Sequence, residues 1–144
     1  MTYTIGETAK KLGVAPSTLR YYDKEGLLPS VGRSEGGVRI FQDSDLSQLA
    51  TIQCLKSTGM SIQEIRQYID WSLLGDETIG PRMELIDRRR EAVREQIAQL
   101  QKTLHTLDYK HWFYETALAA GTMEVPAHMP TEQVPREFRD MRKK

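Results

Sequence analysis

Apolar residues near the N-terminus recur at helical intervals: Ile5, Ala9 and Leu12 are spaced by four and then three, the stripe of a short amphipathic helix, and Gly13 follows as a turn residue. Pro16 and Ser17 open a second helix, because a proline in the first turn forfeits no intrahelical hydrogen bond. On that helix Leu19 and Tyr22, three apart, can face a core, while Ser17, Thr18, Arg20, Tyr21 and Lys24 fall mostly elsewhere on its surface. Two short helices across a glycine-containing turn predict a helix-turn-helix. Hydroxyls, a planar guanidinium and an ammonium are the groups that hold phosphates and base edges.

The second half carries a longer pattern. From Arg82 to Ala120 there is neither glycine nor proline, and Pro81 and Gly121 bracket the stretch as a plausible start and stop. Fully helical, its 39 residues span about 58 Å at about 1.5 Å per residue. Along it Met83, Ile86, Val93, Ile97, Leu100, Leu104, Leu107, Tyr114 and Leu118 follow alternating steps of three and four, with Arg90 and His111 as the two polar occupants. Sustained heptads predict a coiled-coil seam between two copies, with Ile86, Val93, Ile97, Leu100, Leu104, Leu107 and Tyr114 at the dimer interface. The competing reading is a long helix packing back on its own domain.

Three motifs carry a resemblance to a known family. Leu19-Arg20-Tyr21-Tyr22-Asp23 is followed by Gly26-Leu27-Leu28. Pro29 to Phe41 holds Gly32, Arg33, Gly36, Gly37, Val38, Arg39 and Ile40. Phe41-Gln42-Asp43-Ser44-Asp45-Leu46 leads into a helix to about Ser57, then Gly59 and Ser61-Ile62-Gln63-Glu64-Ile65, where Ser61 and Glu64 have the spacing of a capping box. As a set these resemble the MerR family of bacterial transcriptional regulators over roughly the first half of the chain. The resemblance implies a mainly α fold: an N-terminal winged helix-turn-helix, a wing hairpin whose arginine grips the DNA backbone, and a long C-terminal helix forming an antiparallel coiled-coil dimer. Where many members carry an aromatic in the wing, this chain has Val38. The expected DNA-binding residues are Ser17, Thr18, Arg20, Tyr21, Tyr22, Lys24, Arg33 and Arg39. The resemblance further implies binding to an inverted repeat in an over-long promoter spacer, whose distortion lets RNA polymerase engage both promoter elements. The expected organisation is a DNA-binding domain over 1–71, a linker over 72–80, a dimerisation helix over 81–120 and an irregular tail over 121–144 that has room for a short helix near Phe138.

Charge shows why two copies matter. The chain holds 20 Lys plus Arg against 20 Asp plus Glu, and residues 1–71 hold eight of each, so the basic footprint usual for a nucleic-acid binder is absent. Affinity must then come from local clustering of Arg20, Lys24, Arg33 and Arg39 and from two heads acting together. No apolar run approaches membrane-spanning length and no signal peptide is evident, so a cytoplasmic protein is expected. No nucleophile elbow, phosphate loop or metal-ligand cluster points to an enzyme, a cofactor or a bound metal. His105 and His111 are six apart, on different faces of a helix, and together with His128 they make no metal site. A coiled-coil adaptor without DNA binding would explain the rod and leave the wing unexplained.

The one cysteine, Cys54, forbids an internal disulfide. Its setting, Gln53-Cys54-Leu55-Lys56-Ser57 before Gly59 and Ser61-Ile62, resembles the thiol- and aldehyde-responsive branch of the family, of the AdhR and NmlR type, as do Gly75-Asp76-Glu77-Thr78-Ile79 and the stretches Gln101–Leu104 and Leu107–Lys110. The resemblance implies a sensor thiol. Leu46, Ala50 and Cys54 nevertheless recur every fourth residue, the spacing of a buried stripe, which would make Cys54 a small core residue and leave a reversible small ligand as the signal.

Overall fold

The computed structural model describes residues 1–143; Lys144, the end of the expected tail, lies outside the described residues. The elements run β1 (Thr2–Tyr3), α1 (Ile5–Leu12), α2 (Pro16–Lys24), β2 (Gly32–Arg33), β3 (Arg39–Gln42), α3 (Asp43–Ser57), α4 (Ile62–Leu74), a 3-10 turn (Asp76–Thr78), α5 (Ile79–Ala120) and α6 (Glu124–Ala127), with 3-10 turns at Thr131–Gln133 and Arg136–Lys143. Two compact units divide the chain after Glu91, and α5 contributes to both.

In the first unit, local capping sets the helix starts. The Thr4 hydroxyl accepts from Glu7 N–H while Thr4 N–H donates to the Glu7 carboxylate, and Ser61 and Glu64 repeat the arrangement on α4. Gly13 ends α1 at φ +69°, a left-handed conformation open to glycine at little cost. The sheet order is β1-β3-β2, both pairs antiparallel, with Tyr3 opposite Phe41 and Arg33 opposite Arg39. Under it lies one core built from Leu19 and Tyr22 of α2, Phe41 of β3, Leu49 and Ile52 of α3, Ile65 and Ile69 of α4 and Leu85 of α5. Fully burying such side chains contributes about 1.5–3 kcal/mol each.

The core row of α3 differs from the expected one. Asp45, Leu49, Ile52 and Leu55 face inward, whereas Leu46 is half-buried and Ala50 and Cys54 are exposed. Asp45 is tolerated inside because Ser30 Oγ donates to one carboxylate oxygen at 2.5 Å and Gln42 N–H to the other at 2.8 Å.

Two joints tie α5 into this unit. Arg89 Nε donates to the carbonyl of Thr58, the C-cap of α3, at 2.6 Å. The next residue, Gly59, has φ +85°, and a Cβ there would stand 2.7 Å from Arg89 Nη2. Gly59→Ala is therefore expected to destabilise the chain by about 1–2 kcal/mol, the left-handed penalty of an L-residue, with the Arg89 bond displaced as well. A denaturation midpoint equal to wild type would contradict this.

At the second joint α4 extends to Leu74, and α5 begins at Ile79 with Pro81 in its first turn, where the ring breaks no helical bond. Thr78 Oγ1 lies within hydrogen-bonding distance of the Trp71 and Gly75 carbonyls, at 2.5 and 2.8 Å, and Arg82 Nη2 donates to Gly75 O at 3.0 Å. The expected nine-residue linker (72–80) is thus mostly helical and internally bonded.

In the second unit, Gly121 at φ +75° ends α5 and the chain turns back. The expected irregular tail is ordered through residue 143: Val134 and Phe138 are buried, and the Phe138 ring lies 5.9 Å from Tyr109, 6.0 Å from Trp112 and 5.7 Å from His105. Arg139 donates to the Val134 and Glu132 carbonyls, and Arg142 to those of Met129 and Ala127. These bonds give the carbonyls partners in a stretch where Pro130 and Pro135 have no N–H to donate to a regular ladder. By contrast Ile97, Leu100, Leu104, Leu107, Tyr114 and Leu118 are exposed, from 49% at Ile97 to 85% at Leu118. Among the described residues no helix is long and apolar enough to cross a membrane.

Candidate nucleic-acid interface

The site is assembled by α2 and the β2–β3 hairpin, both in the first unit. Leu19 is fully buried and Tyr22 is 7% exposed, so one face of α2 is fixed in the core. That geometry leaves Ser17, Arg20, Tyr21 and Lys24 exposed and Thr18 half-buried. Tyr22, expected both to face the core and to join the DNA-binding set, takes the core position: three residues after Leu19, its ring packs inward and anchors the helix. Burial, and secondarily the neighbouring Tyr21, push its phenol pKa above the usual value. Tyr21 remains outside, 47% exposed, its ring centroid 6.2 Å from that of Tyr22.

The hairpin closes through a tight turn. Ser34 N–H donates to Val38 O at 2.7 Å, Gly37 N–H to Ser34 O at 2.9 Å, and Gly37 adopts φ +77°. Val38 is exposed at this turn. Arg33 and Arg39 face each other across the two strands, and both reach the carboxylate of Asp23 on α2: Arg39 Nε donates to Oδ2 at 2.6 Å, and Arg33 Nη2 lies 3.5 Å from the same oxygen. Helix and wing are therefore joined by charge. Arg66 of α4 adds a cation that sequence reasoning missed, lying 3.3 Å from where a Cβ on Gly26 would stand. A cation just past the end of α2 is favoured by the helix dipole. Neither Asp23 nor Arg66 carries a periodic signal, since their partners lie 10 to 40 residues away.

Cys54 stands apart from this surface, exposed on the last turn of α3, with Ser57 Oγ donating to its carbonyl at 2.6 Å. The core-packed alternative therefore does not hold for the protomer. Of the expected interface residues, Ile86 and Val93 are half-buried, and Ile97, Leu100, Leu104, Leu107 and Tyr114 are exposed.

Residues 3–71 match the model of the MerR HTH family regulatory protein, and residues 46–109 match that of MerR, DNA binding. An uncharacterized HTH-type transcriptional regulator of Haemophilus influenzae is 47% identical over 124 residues, covering 86% of this chain and 92% of its own. The transcriptional regulator AdhR of Bacillus subtilis is 32% identical over 91 residues, 63% of this chain and 65% of its own. The crystal structure of HiNmlR, a MerR family regulator lacking the sensor domain and bound to promoter DNA, superposes with a TM-score of 0.66 at 46% identity, covering 87% of this chain and 99% of that one. With a recognition helix and arginine-bearing wing in place and these likenesses across most of its length, the chain belongs to the MerR family: it is a DNA-binding transcriptional regulator, not an enzyme.

Proposed function

We propose that the protein acts as a homodimer that grips an inverted repeat in promoter double-stranded DNA and regulates transcription by distorting it, so that RNA polymerase engages both promoter elements. The observation that carries this reading is the conjunction, in one chain, of a cation-bearing α2 and wing with a heptad row on α5 left open to pairing. Six side chains from Ile97 to Leu118 lie exposed on that row, a patch that a lone helix would present to water at a cost. A near-neutral reading head also favours paired operation, because two weak contacts joined together bind far more tightly than one. Ser17, Thr18, Arg20, Tyr21 and Lys24 supply the groove-facing set, and Arg33 and Arg39 the backbone grip. The family assignment removes the adaptor alternative.

The signal is electrophile, aldehyde or redox modification of Cys54. Its exposure gives a reagent access, and its helix touches both ends of the device: Gln53 Nε2 donates to Leu12 O, at the helix-turn-helix turn, and Arg89 holds the Thr58 carbonyl. An adduct there acts by favouring one of two DNA-bound arrangements. Such chemistry requires a reducing compartment that keeps the thiol free, which the cytoplasm provides. A reversible small ligand is the second reading of the signal.

The DNA contacts are tested by Arg20→Ala and Arg39→Ala in mobility shifts across a salt series. Each is expected to weaken binding on every sequence and to flatten the salt dependence by about one charge. Unchanged affinity in both variants would remove these residues from the interface.

A further inference from the structure

Arg33 and Arg39 are direct cross-strand partners in the wing, and two like charges so placed repel. What offsets the repulsion comes from another element: Asp23 on the last turn of α2, whose Oδ2 accepts from Arg39 Nε at 2.6 Å with Arg33 Nη2 at 3.5 Å. Arg33 is held a second time, its Nη1 donating to Gly37 O at 3.1 Å. Arg39 engages Asp23 through Nε and makes no hydrogen bond to protein through either Nη among the described residues, which leaves its terminal amino groups for an outside acceptor. A guanidinium oriented through Nε presents those two donors as a fork matched to a phosphate. The Asp23 and Arg39 side chains are 20% and 23% exposed, so the pair is partly shielded from water.

We infer that Asp23 is a positioning residue of the DNA interface: it fixes both wing arginines against the recognition helix, so that base reading and backbone gripping occur in one register, and it withholds one positive charge from indiscriminate binding. This rests on the reading of Arg33 and Arg39 as backbone contacts. The two roles predict effects of opposite sign when the carboxylate is removed. Binding to arbitrary DNA gains a charge and tightens, whereas binding to the cognate site loses an oriented contact and weakens.

The test uses the full-length chain, a duplex selected by the wild-type protein from a random pool, and a scrambled duplex of the same length, each titrated over a salt series. Asp23→Asn is expected to tighten scrambled-duplex binding severalfold, steepen its salt dependence by about one charge, and weaken selected-duplex binding by about tenfold. Asp23→Glu, which keeps the charge, should return the scrambled-duplex affinity to the wild-type value. Combined with Arg39→Ala, Asp23→Asn should cost the selected duplex less than the sum of the single effects. An unchanged ratio of selected to scrambled affinity in Asp23→Asn, or strict additivity in the double variant, would overturn the inference. Failure of the underlying reading looks different: Arg39→Ala alone would then bind both duplexes like wild type.

Discussion

Aspartate at both Ile97 and Leu100 is expected to convert the protein to monomers and to abolish site-specific DNA binding. The two side chains are 49% and 68% exposed in the protomer, so neither supports its own unit and the variant should keep its helical content. In the proposed dimer each chain contributes both, and burying an Ile or Leu contributes about 1.5–3 kcal/mol. Four such losses, with four carboxylates forced into a largely apolar seam, exceed what a micromolar or nanomolar association can absorb. Sedimentation of wild type and variant at micromolar concentration decides the matter. A wild-type monomer would sink the architecture, and a variant dimer would place the seam elsewhere. DNA affinity should fall with assembly, since each head alone retains only half of a near-neutral contact surface.

The second large effect is on signalling. Cys54→Ser is expected to fold, dimerise and bind its promoter like wild type, yet to lose the transcriptional response to an aldehyde or thiol oxidant. The substitution is nearly isosteric at an exposed position, where stability changes stay within about 0.5 kcal/mol. The loss should be complete because no other thiol exists in the chain to take its place. A promoter fusion read in cells with and without the electrophile makes the comparison. A serine variant that responds normally would leave a reversible ligand as the signal.

Legibility in the sequence tracked how local each determinant was. The starts of α2 and α4 were readable because Pro16 and the Ser61–Glu64 capping box act within one turn. The inward face of α3 was not, because two apolar rows compete there: Leu46, Ala50 and Cys54 follow one spacing, Leu49, Ile52 and Leu55 another, and only the packing of Phe41, Ile65 and Leu85 selects between them. Tyr22 was ambiguous for a related reason, since a tyrosine three residues after Leu19 suits both a core and a polar surface. The Asp23–Arg39 pair joins a helix to a strand 16 residues later, beyond any periodic signal.

The two arginines of the C-terminal segment bear on how this chain can change over generations. Arg139 and Arg142 donate to the carbonyls of residues 127, 129, 132 and 134, so the bonds that organise the segment depend on the backbone and not on which side chains those positions carry. Substitution at Ala127 and Glu132, both exposed, leaves every one of these acceptors in place. Substitution at those two positions is thus expected to cost the segment little while the two donors, Val134 and Phe138 persist.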